Sequence, residues 1–204
     1  MDILNKIKQI QALSEIGVHY SVNDFDLERY TEIGGLCLDI LSAISDIPVS
    51  KLKSILVEND GYKTVKVDVR AVVFNDRNEI LLVREKVDGC WSLPGGWADI
   101  GYSPSEVAVK EAREEAGALV ETEKLIGVLD KRHHNHPPDL HYIYKIFIGC
   151  RFLGWCEQDH KETTDKGFFR YGHLPDLSQP RITDEQIRML FDYHEGKISE
   201  PVFD

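Results

Sequence analysis

Apolar side chains recur at helical spacing through the first sixty residues. The two stripes consist of Ile3, Leu4, Ile7, Ile10 and Leu13, and then of Tyr30, Ile33, Cys37, Ile40, Leu41 and Ile44. The spacing predicts two amphipathic helices, the second capped at Asn23 or Asp24, and a short third helix starting near Ser50. We expect residues 1–62 to form a small helical domain whose exposed apolar remainder would suit a dimer interface. Because this region has no basic cluster, a DNA-reading helical module is the weaker alternative.

From residue 65 the hydrophobic period changes from helical to extended. The segments VKVDVRAVVF and EILLVRE flank the turn NDRN, which is typical of a β-hairpin. Further strands are predicted at KLIGVLDKR, YIYKIFIGCRF and KGFFR, with helices over residues 104–117 and over ITDEQIRMLFDYHEG. Strands and helices mix without βαβ regularity, so we expect residues 63–204 to form an α+β domain, an α/β/α sandwich with a mixed sheet. The Gly/Asn/Asp-rich residues 58–62 are the natural linker.

The composition narrows the class of protein. The chain has 204 residues, of which 42% are hydrophobic and 29% charged, and this is typical of a globular protein. A net charge of −11 argues against non-specific binding to nucleic acid backbones. The net charge does not argue against small anionic substrates, since a metal can bridge them to acidic side chains. The sequence shows no membrane-length apolar run, no signal-peptide core and no Cys-x-x-Cys pair. We therefore expect a cytoplasmic protein with reduced thiols and no membrane partner.

One predicted helix carries the candidate chemistry. Ser103 and Glu106 form a capping box at its start. Glu111, Glu114 and Glu115 follow within an arc of roughly 100° on one face, at 3.6 residues per turn. Three like charges at this spacing repel one another, and a solvated acidic face is the plain alternative. A divalent cation would turn the repulsion into attraction, and hard carboxylate oxygens suit Mg²⁺ or Mn²⁺.

This stretch resembles the Nudix box of nucleoside diphosphate-X hydrolases, G-x5-E-x7-R-E-U-x-E-E-x-G-U, where U is a bulky aliphatic residue. In this chain the pattern runs from Gly96 to Ala118 and keeps both glycines and the three acids of the helix. It departs at Tyr102, which stands in place of the first glutamate, and at Lys110, which stands in place of the arginine. Both U positions hold alanine. The resemblance implies the α/β/α sandwich of the Nudix family.

The resemblance also implies a Mg²⁺-dependent enzyme in which Mn²⁺ can substitute. It makes Glu111, Glu114 and Glu115 metal ligands, with Glu111 and Glu115 catalytic, and it lets Gly95 or Gly96 add a carbonyl oxygen. The implied reaction is attack of metal-activated water on one phosphorus of a pyrophosphate. The missing first acid predicts fewer or weaker metal sites and not a loss of activity.

Other residues are candidates without a tight motif. Glu162 lies where Nudix enzymes often bring a loop acid toward the metals, so it is a candidate general base. The candidate substrate-binding residues are Arg84, Trp97, Asp99, His134 and His136. Each has a plainer alternative: a surface position for the arginine, core packing for the tryptophan, a turn for the aspartate, and a proline-stiffened solvated loop for the histidines. Zinc binding by that histidine loop is a weaker alternative still.

The resemblance extends along the whole chain. The helical N-terminal region with YSVNDFDLERYTEI, and the variant box WSLPGGWADIGYSPSEVAVKE, are similar to the bacterial CDP-choline pyrophosphatase type of Nudix hydrolase. This implies cleavage of CDP-choline, a small nucleotide substrate, to CMP and phosphocholine, by a homodimer that also trims RNA 3′ ends. ADP-ribose pyrophosphatase is the alternative. A nucleotide-sensing regulator with degraded acids is a third possibility, which the three surviving helix acids disfavour.

Overall fold

The computed structural model of the protein describes residues 3–56, 64–157 and 162–204. The chain divides into two compact units, Met1–Val65 with Asp139–His141, and Lys66–Pro138 with Tyr142–Asp204. The predicted linker, and the predicted domain boundary within it, lie outside the described residues. The sequence did not indicate that Asp139–His141 belongs to the first unit. This segment is held there because the Lys8 ammonium donates to the carbonyl oxygens of Asp139 at 2.6 Å and His141 at 2.9 Å.

The first unit contains the three predicted helices. They are α1 (Ile3–Tyr20), α2 (Asp24–Ser45) and α3 (Val49–Leu56). Asn23 caps α2 by accepting a hydrogen bond from the Asp26 N–H. The buried core is narrow, and it consists of Ile7, Cys37, Leu38, Leu41 and Leu52. Many other apolar side chains of the predicted stripes are exposed, among them Leu13 at 59% and Ile40 at 44%.

The second unit is built on one mixed sheet. Its strands are β1 (Lys66–Phe74), β2 (Ile80–Glu85), β3 (Trp91–Ser92), β4 (Gly95–Trp97), β5 (Ala118–Asp130), β6 (Ile143–Trp155), β7 (Thr163–Phe169) and β8 (Val202–Phe203), and its helices are α4 (Pro104–Ala116) and α5 (Asp184–His194). The strand order is β3-β2-β1-β6-β5-β8, with β4 also paired to β1 and β7 to β2. Strands β1 and β6 are parallel, and β5 and β6 are antiparallel.

The two long helices of this unit cover opposite faces of the sheet. Helix α4 packs against alternate β1 residues such as Val69 and Ala71. Helix α5 packs on the other face against residues that include Val72 and Phe147. The predicted α+β class, an α/β/α sandwich with a mixed sheet, is confirmed.

The predicted hairpin is present, but its two strands pair at one position, Phe74 with Ile80. They separate beyond it, because β1 pairs with β4 and β6 while β2 pairs with β3 and β7. The gap admits β4, and this places the Gly-Gly pair beside the centre of β1. Strand β5 starts six residues before the predicted Lys124, since register shifts along it break the alternation expected of a strand.

No single helix among the described residues is long and apolar enough to cross a membrane. The bent pair of α2 and α3, with 116° between the helices, has that length and composition when taken together. The predicted cytoplasmic compartment stays a prediction.

Candidate active site

Strand β4 carries two adjacent glycines where it meets β1 and α4. Gly95 has a φ of 153°, and a Cβ there would overlap the carbonyl oxygen of Val69 and lie 2.8 Å from Cα of Arg70. A Cβ at Gly96 would lie 3.4 Å from the carboxylate carbon of Glu111. Position 95 must therefore be glycine, because the backbone of β1 leaves no room for a side chain there. Gly96 lies directly against Glu111 of α4.

Helix α4 begins and ends as its sequence predicts. The Ser103 hydroxyl accepts a hydrogen bond from the Glu106 N–H at 3.3 Å, and the Glu106 carboxylate accepts one from the Ser103 N–H at 2.8 Å. Gly117 ends the helix with a φ of 59°. The buried residues of helix α4 are Val107, Ala108, Ala112, Glu115 and Ala116. Small side chains thus bring the helix close to the sheet and carry one of the three acids inward.

Glu115 is the buried acid of the three, with 7% of its surface exposed. Its carboxylate accepts a hydrogen bond from the Gly95 N–H at 2.8 Å. Burial raises the pKa of Glu115 to about 8, while the Arg70 guanidinium and the Gly95 bond act in the opposite direction. The nearby carboxylates of Glu85 and Glu111 raise this pKa further. Glu115 is thus held in place at an electrostatic cost that a cation would relieve.

Lys110 joins the other two acids. Its ammonium lies 3.0 Å from the Glu111 carboxylate and 3.5 Å from the Glu114 carboxylate. The bond to Glu111 raises the pKa of Lys110. The Glu111 side chain is only 14% exposed, whereas that of Glu114 is 52% exposed. The three acids therefore occupy graded depths, with Glu115 innermost and Glu114 at the rim.

The donor set suits a hard divalent cation, because Glu111 and Glu115 bring carboxylate oxygens to the backbone of two consecutive glycines. In the part of the chain that the structure describes, no three His, Cys, Asp or Glu side chains converge closely enough to hold a metal ion. The reason is visible in the contacts: Lys110 draws Glu111 and Glu114, while the Gly95 N–H holds Glu115. Binding a metal through all three acids would require side-chain rotation away from the lysine.

Tyr102 and Asp99 lie in the loop before α4. The Tyr102 side chain is half-exposed and lines a cavity of about 530 Å³ that also borders Lys110, Arg113 and Glu114. The Asp99 carboxylate is largely exposed and lies 3.9 Å from the Lys110 ammonium. Asp99 therefore supplies negative charge near Lys110 in a box whose first acid is replaced by Tyr102.

Glu162 directly precedes β7 and is exposed. Its carbonyl oxygen accepts a hydrogen bond from the Lys86 N–H, and the hydroxyl of the next residue, Thr163, donates to the carbonyl oxygen of Glu115 at 2.7 Å. The backbone at the start of β7 is thus attached to the end of α4. The general-base role of Glu162 stays a prediction, and residues 158–161 are outside the described part.

Arg84 lies on β2, and Trp97 lies on β4 directly after the Gly-Gly pair. The exposed Arg84 donates from Nε to the carbonyl oxygen of Gly89 at 2.8 Å, so it holds the turn between β2 and β3. Trp97 is 49% exposed, and the Lys66 ammonium lies 5.5 Å from the centre of its ring. Trp97 is therefore not a core residue, and its ring is available at the end of β4. The substrate-binding roles of both residues stay predictions.

The two candidate histidines contact the segment before α5 and the last residue, Asp204. His134 lies 3.1 Å from the Asp204 carboxylate, and His136 donates from Nδ1 to the carbonyl oxygen of Gln179 at 2.7 Å. Burial lowers the pKa of His136 to about 4. These contacts give both histidines structural partners. Their predicted substrate roles are not tested by them.

A buried charged group beneath the Gly-Gly segment was missed in the sequence. It consists of Asp68 and Arg70 on β1 and Lys145 on β6, all at most 5% exposed. The Asp68 carboxylate accepts from Arg70 Nε at 2.9 Å and from the Lys145 ammonium. The two cations lower the pKa of Asp68 to about 2 against the effect of burial. A partial signal was present: Asp68 and Arg70 stand at alternate positions of an otherwise apolar strand, so their side chains share one face.

Fold and site together define a hydrolase of phosphoric anhydrides, with carboxylates on a helix facing a glycine pair. Residues 64–190 match the family described as the NUDIX domain, and residues 1–56 match one described as a UDP-X-like, N-terminal oligomerisation domain. The chain belongs to the Nudix hydrolase family and is an enzyme acting on pyrophosphate bonds.

Three relatives illustrate the similarity. A protein of Bacillus subtilis (strain 168), named provisionally as ADP-ribose pyrophosphatase YjhB, is 39% identical over 201 residues, covering 98% of this chain and 96% of that protein. The crystal structure of an ADP-ribose pyrophosphatase from Streptococcus suis 89-1591 is 42% identical, with a TM-score of 0.62, covering 69% of this chain and 100% of that one. A crystal structure of UDP-X diphosphatase is 32% identical, with a TM-score of 0.65, covering 100% of this chain and 98% of that one.

Proposed function

We propose that the protein is a Mg²⁺-dependent pyrophosphohydrolase that acts on a nucleoside diphosphate linked to a second moiety, with ADP-ribose as its first substrate. The observation that carries the proposal is the placement of the Glu111 and Glu115 carboxylates against Gly96 and Gly95. The names of two relatives, one similar along nearly the whole chain, support ADP-ribose. CDP-choline is the second candidate, favoured by the combined sequence features of the N-terminal region and the variant box.

Each residue of the site has its own proposed role in the reaction. Glu111, Glu114 and Glu115 would hold Mg²⁺, or Mn²⁺ in its place, with a carbonyl oxygen of Gly95 or Gly96 as a further ligand. When bound, the metal lowers the pKa of water and neutralises charge on the phosphoryl oxygens. The Gly95 N–H keeps Glu115 in position, and the Lys110 ammonium holds the two outer carboxylates until they rotate toward the metal. Glu162 is the proposed base for the attacking water.

The substrate-contacting residues are proposed from their chemistry. Trp97 offers a half-exposed ring for stacking on a base, and Asp99 offers a carboxylate to a ribose hydroxyl. Arg84 offers a guanidinium to phosphate, although it also holds Gly89. His134 and His136 are the weakest of the set, because both have structural partners.

We also propose that the protein works as a homodimer joined through its helical unit. The family description of residues 1–56 as an oligomerisation domain supports this, and so do the exposed apolar side chains of α1 and α2. Burial of such apolar side chains against a second subunit would stabilise the dimer.

A hydrolysis panel with Mg²⁺ tests the proposed function. The substrates are ADP-ribose, CDP-choline, a UDP-sugar, dinucleoside polyphosphates and a short RNA with a free 3′ end. We expect kcat/KM for ADP-ribose to exceed the others by at least about tenfold, equivalent to about 1.4 kcal/mol in barrier. A tenfold preference for CDP-choline would instead establish the second candidate. Nucleotide binding without cleavage of any substrate would contradict the proposal and favour the sensor.

A further inference from the structure

Three consecutive residues of the segment that leads into the Gly-Gly pair are each fixed by a different partner. The Leu93 carbonyl oxygen accepts a hydrogen bond from Arg70 Nη1 at 3.0 Å. The Pro94 carbonyl oxygen accepts one from the Ala71 N–H at 2.8 Å. The Gly95 N–H donates to Glu115. The side chain of Arg70 thus anchors this segment two residues before the bond that holds Glu115.

We propose that Arg70, held by Asp68, which Lys145 anchors in turn, is a positioning residue that fixes the segment from Leu93 to Gly95 and, through it, the Glu115 carboxylate. The inference rests on the proposed function of this site. Arg70 touches no reacting atom in this proposal. It acts through the backbone of Leu93 and through its positive charge beside Glu115.

The strand register supports this role. Arg70 is the β1 partner of Gly95, and Asp68 is the β1 partner of Lys145 on β6. Because a side chain at Gly95 would collide with Arg70 Cδ, the arginine stem packs directly against that glycine. The guanidinium divides its donors, with Nε directed to Asp68 and Nη1 to the Leu93 carbonyl oxygen. A lysine ammonium lacks this fixed fork and cannot satisfy both acceptors with the same geometry.

The charges along this path alternate in sign. Lys145, Asp68, Arg70 and Glu115 are all at most 7% exposed. Asp68 is paired with both Lys145 and Arg70, whereas Arg70 is the cation that acts on Glu115. Removal of Arg70 would deprive Glu115 of its compensating cation and the Leu93 carbonyl oxygen of its donor in one step. A network that served stability alone would show no special effect on the segment from Leu93 to Gly95.

Three variants separate positioning from stability. Arg70→Met removes the charge and both donors while keeping similar length. Arg70→Lys restores the charge without the fork. Phe191→Leu is the control, because this buried residue of α5 packs its ring against Phe74, at the end of β1, and against Tyr171, so its loss lowers stability at a distance from the Gly-Gly segment. Melting temperatures place the variants on one stability scale.

The first measurement is hydrogen exchange in the metal-free proteins, which needs no activity. We expect Arg70→Met to speed exchange of a peptide covering residues 93–97 by at least about tenfold, with little change in a peptide covering residues 118–125. Phe191→Leu is expected to leave residues 93–97 near their wild-type rate of exchange. Unchanged exchange of residues 93–97 in Arg70→Met would overturn the proposal.

The second measurement is steady-state hydrolysis. We expect kcat of Arg70→Met to fall by about 30-fold or more, with KM within about threefold of wild type, since small displacements of catalytic groups cost up to about 100-fold. The kcat of Arg70→Lys should lie between those of wild type and Arg70→Met. An equal loss of kcat in Phe191→Leu would overturn the proposal. If Arg70→Met does not fold, wild-type exchange and kcat in Arg70→Lys would overturn it instead. A wild-type protein that hydrolyses no substrate refutes the proposed function, whereas an active wild type with an unaffected Arg70→Met refutes this inference alone.

Discussion

The backbone N–H of Gly95 donates a 2.8 Å hydrogen bond to the buried carboxylate of Glu115. This single contact joins the glycine pair of β4 to the acidic face of α4. It also separates Glu115 from Glu114, which lies one residue earlier on the same helix and points to the rim. Two adjacent acids of one motif therefore have different environments, and they should respond differently to substitution.

Glu115→Gln should abolish most of the activity without unfolding the protein. We expect kcat/KM to fall by about 100-fold or more. Even the loss of a residue that only contacts a metal ligand lowers metal affinity or activity by about 10- to 100-fold. A buried amide costs less than a buried carboxylate, so the melting temperature of the metal-free variant should equal or exceed that of wild type. Hydrolysis assays and thermal melts of the same preparations check both parts.

The matched control for this prediction is Glu121→Gln, which changes an exposed acid of β5 that pairs with Arg151. It should leave both activity and melting temperature near wild type. Wild-type hydrolysis by Glu115→Gln would contradict the metal-ligand role of this residue.

Tyr102→Phe should retain hydrolysis. The ring is half-exposed at the edge of the 530 Å³ cavity, and the substitution keeps this lining while it removes only the hydroxyl. We expect kcat/KM and the Mg²⁺ concentration at half-maximal rate to stay within about threefold of wild type, because a typical hydrogen bond contributes only about 1 kcal/mol. A loss as large as that in Glu115→Gln would show that the tyrosine hydroxyl takes part in catalysis.

Local sequence was sufficient to predict α4 and the type of chemistry it carries. Its start depends on Ser103 and Glu106, two residues within one turn, and its end depends on Gly117. Its acids could not be ranked from the helix alone. Their depth is set by Gly95, twenty residues away, and by which side of the helix packs on the sheet.

Long-range partners explain what the sequence did not reveal. The Asp68–Lys145 contact joins residues 77 positions apart, and it depends on the parallel register of β1 with β6. Likewise, the contact of His136 with Gln179 arises only when the loop after β5 meets the segment before α5. A period-2 pattern places a residue on a face of a strand, but it does not identify the residue that lies opposite.

A charge introduced into the exposed apolar surface of the helical unit should dissociate the proposed dimer. Leu13→Glu is the sharpest choice, since this side chain is 59% exposed in the single chain, and burial of an unpaired carboxylate at an interface is costly. We expect light scattering to give a dimer mass for wild type and a monomer mass for the variant at the same concentration. Gln9→Glu is the control, because it adds a charge at an exposed polar position of the same helix. A wild-type monomer, or a Leu13→Glu dimer, would contradict the proposed interface.

His136 should make folding stability depend on pH below neutrality. Its folded pKa is about 4, against about 6.5 for a free histidine, because the ring is buried near the cations of Lys145 and Lys131. Between these values the unfolded chain binds the extra proton, so stability rises with pH and is lost as the pH falls from about 6.5 toward 4. Since the ring is only partly buried, we expect about 1 kcal/mol of the free energy of unfolding to be lost between pH 7 and pH 5 through this residue.

Urea unfolding at both pH values checks this, with His136→Asn as the comparison, since asparagine keeps a donor for the Gln179 carbonyl oxygen but does not titrate. The variant should lose less stability than wild type over that interval, and an equal loss in the two proteins would show that His136 is not the group responsible.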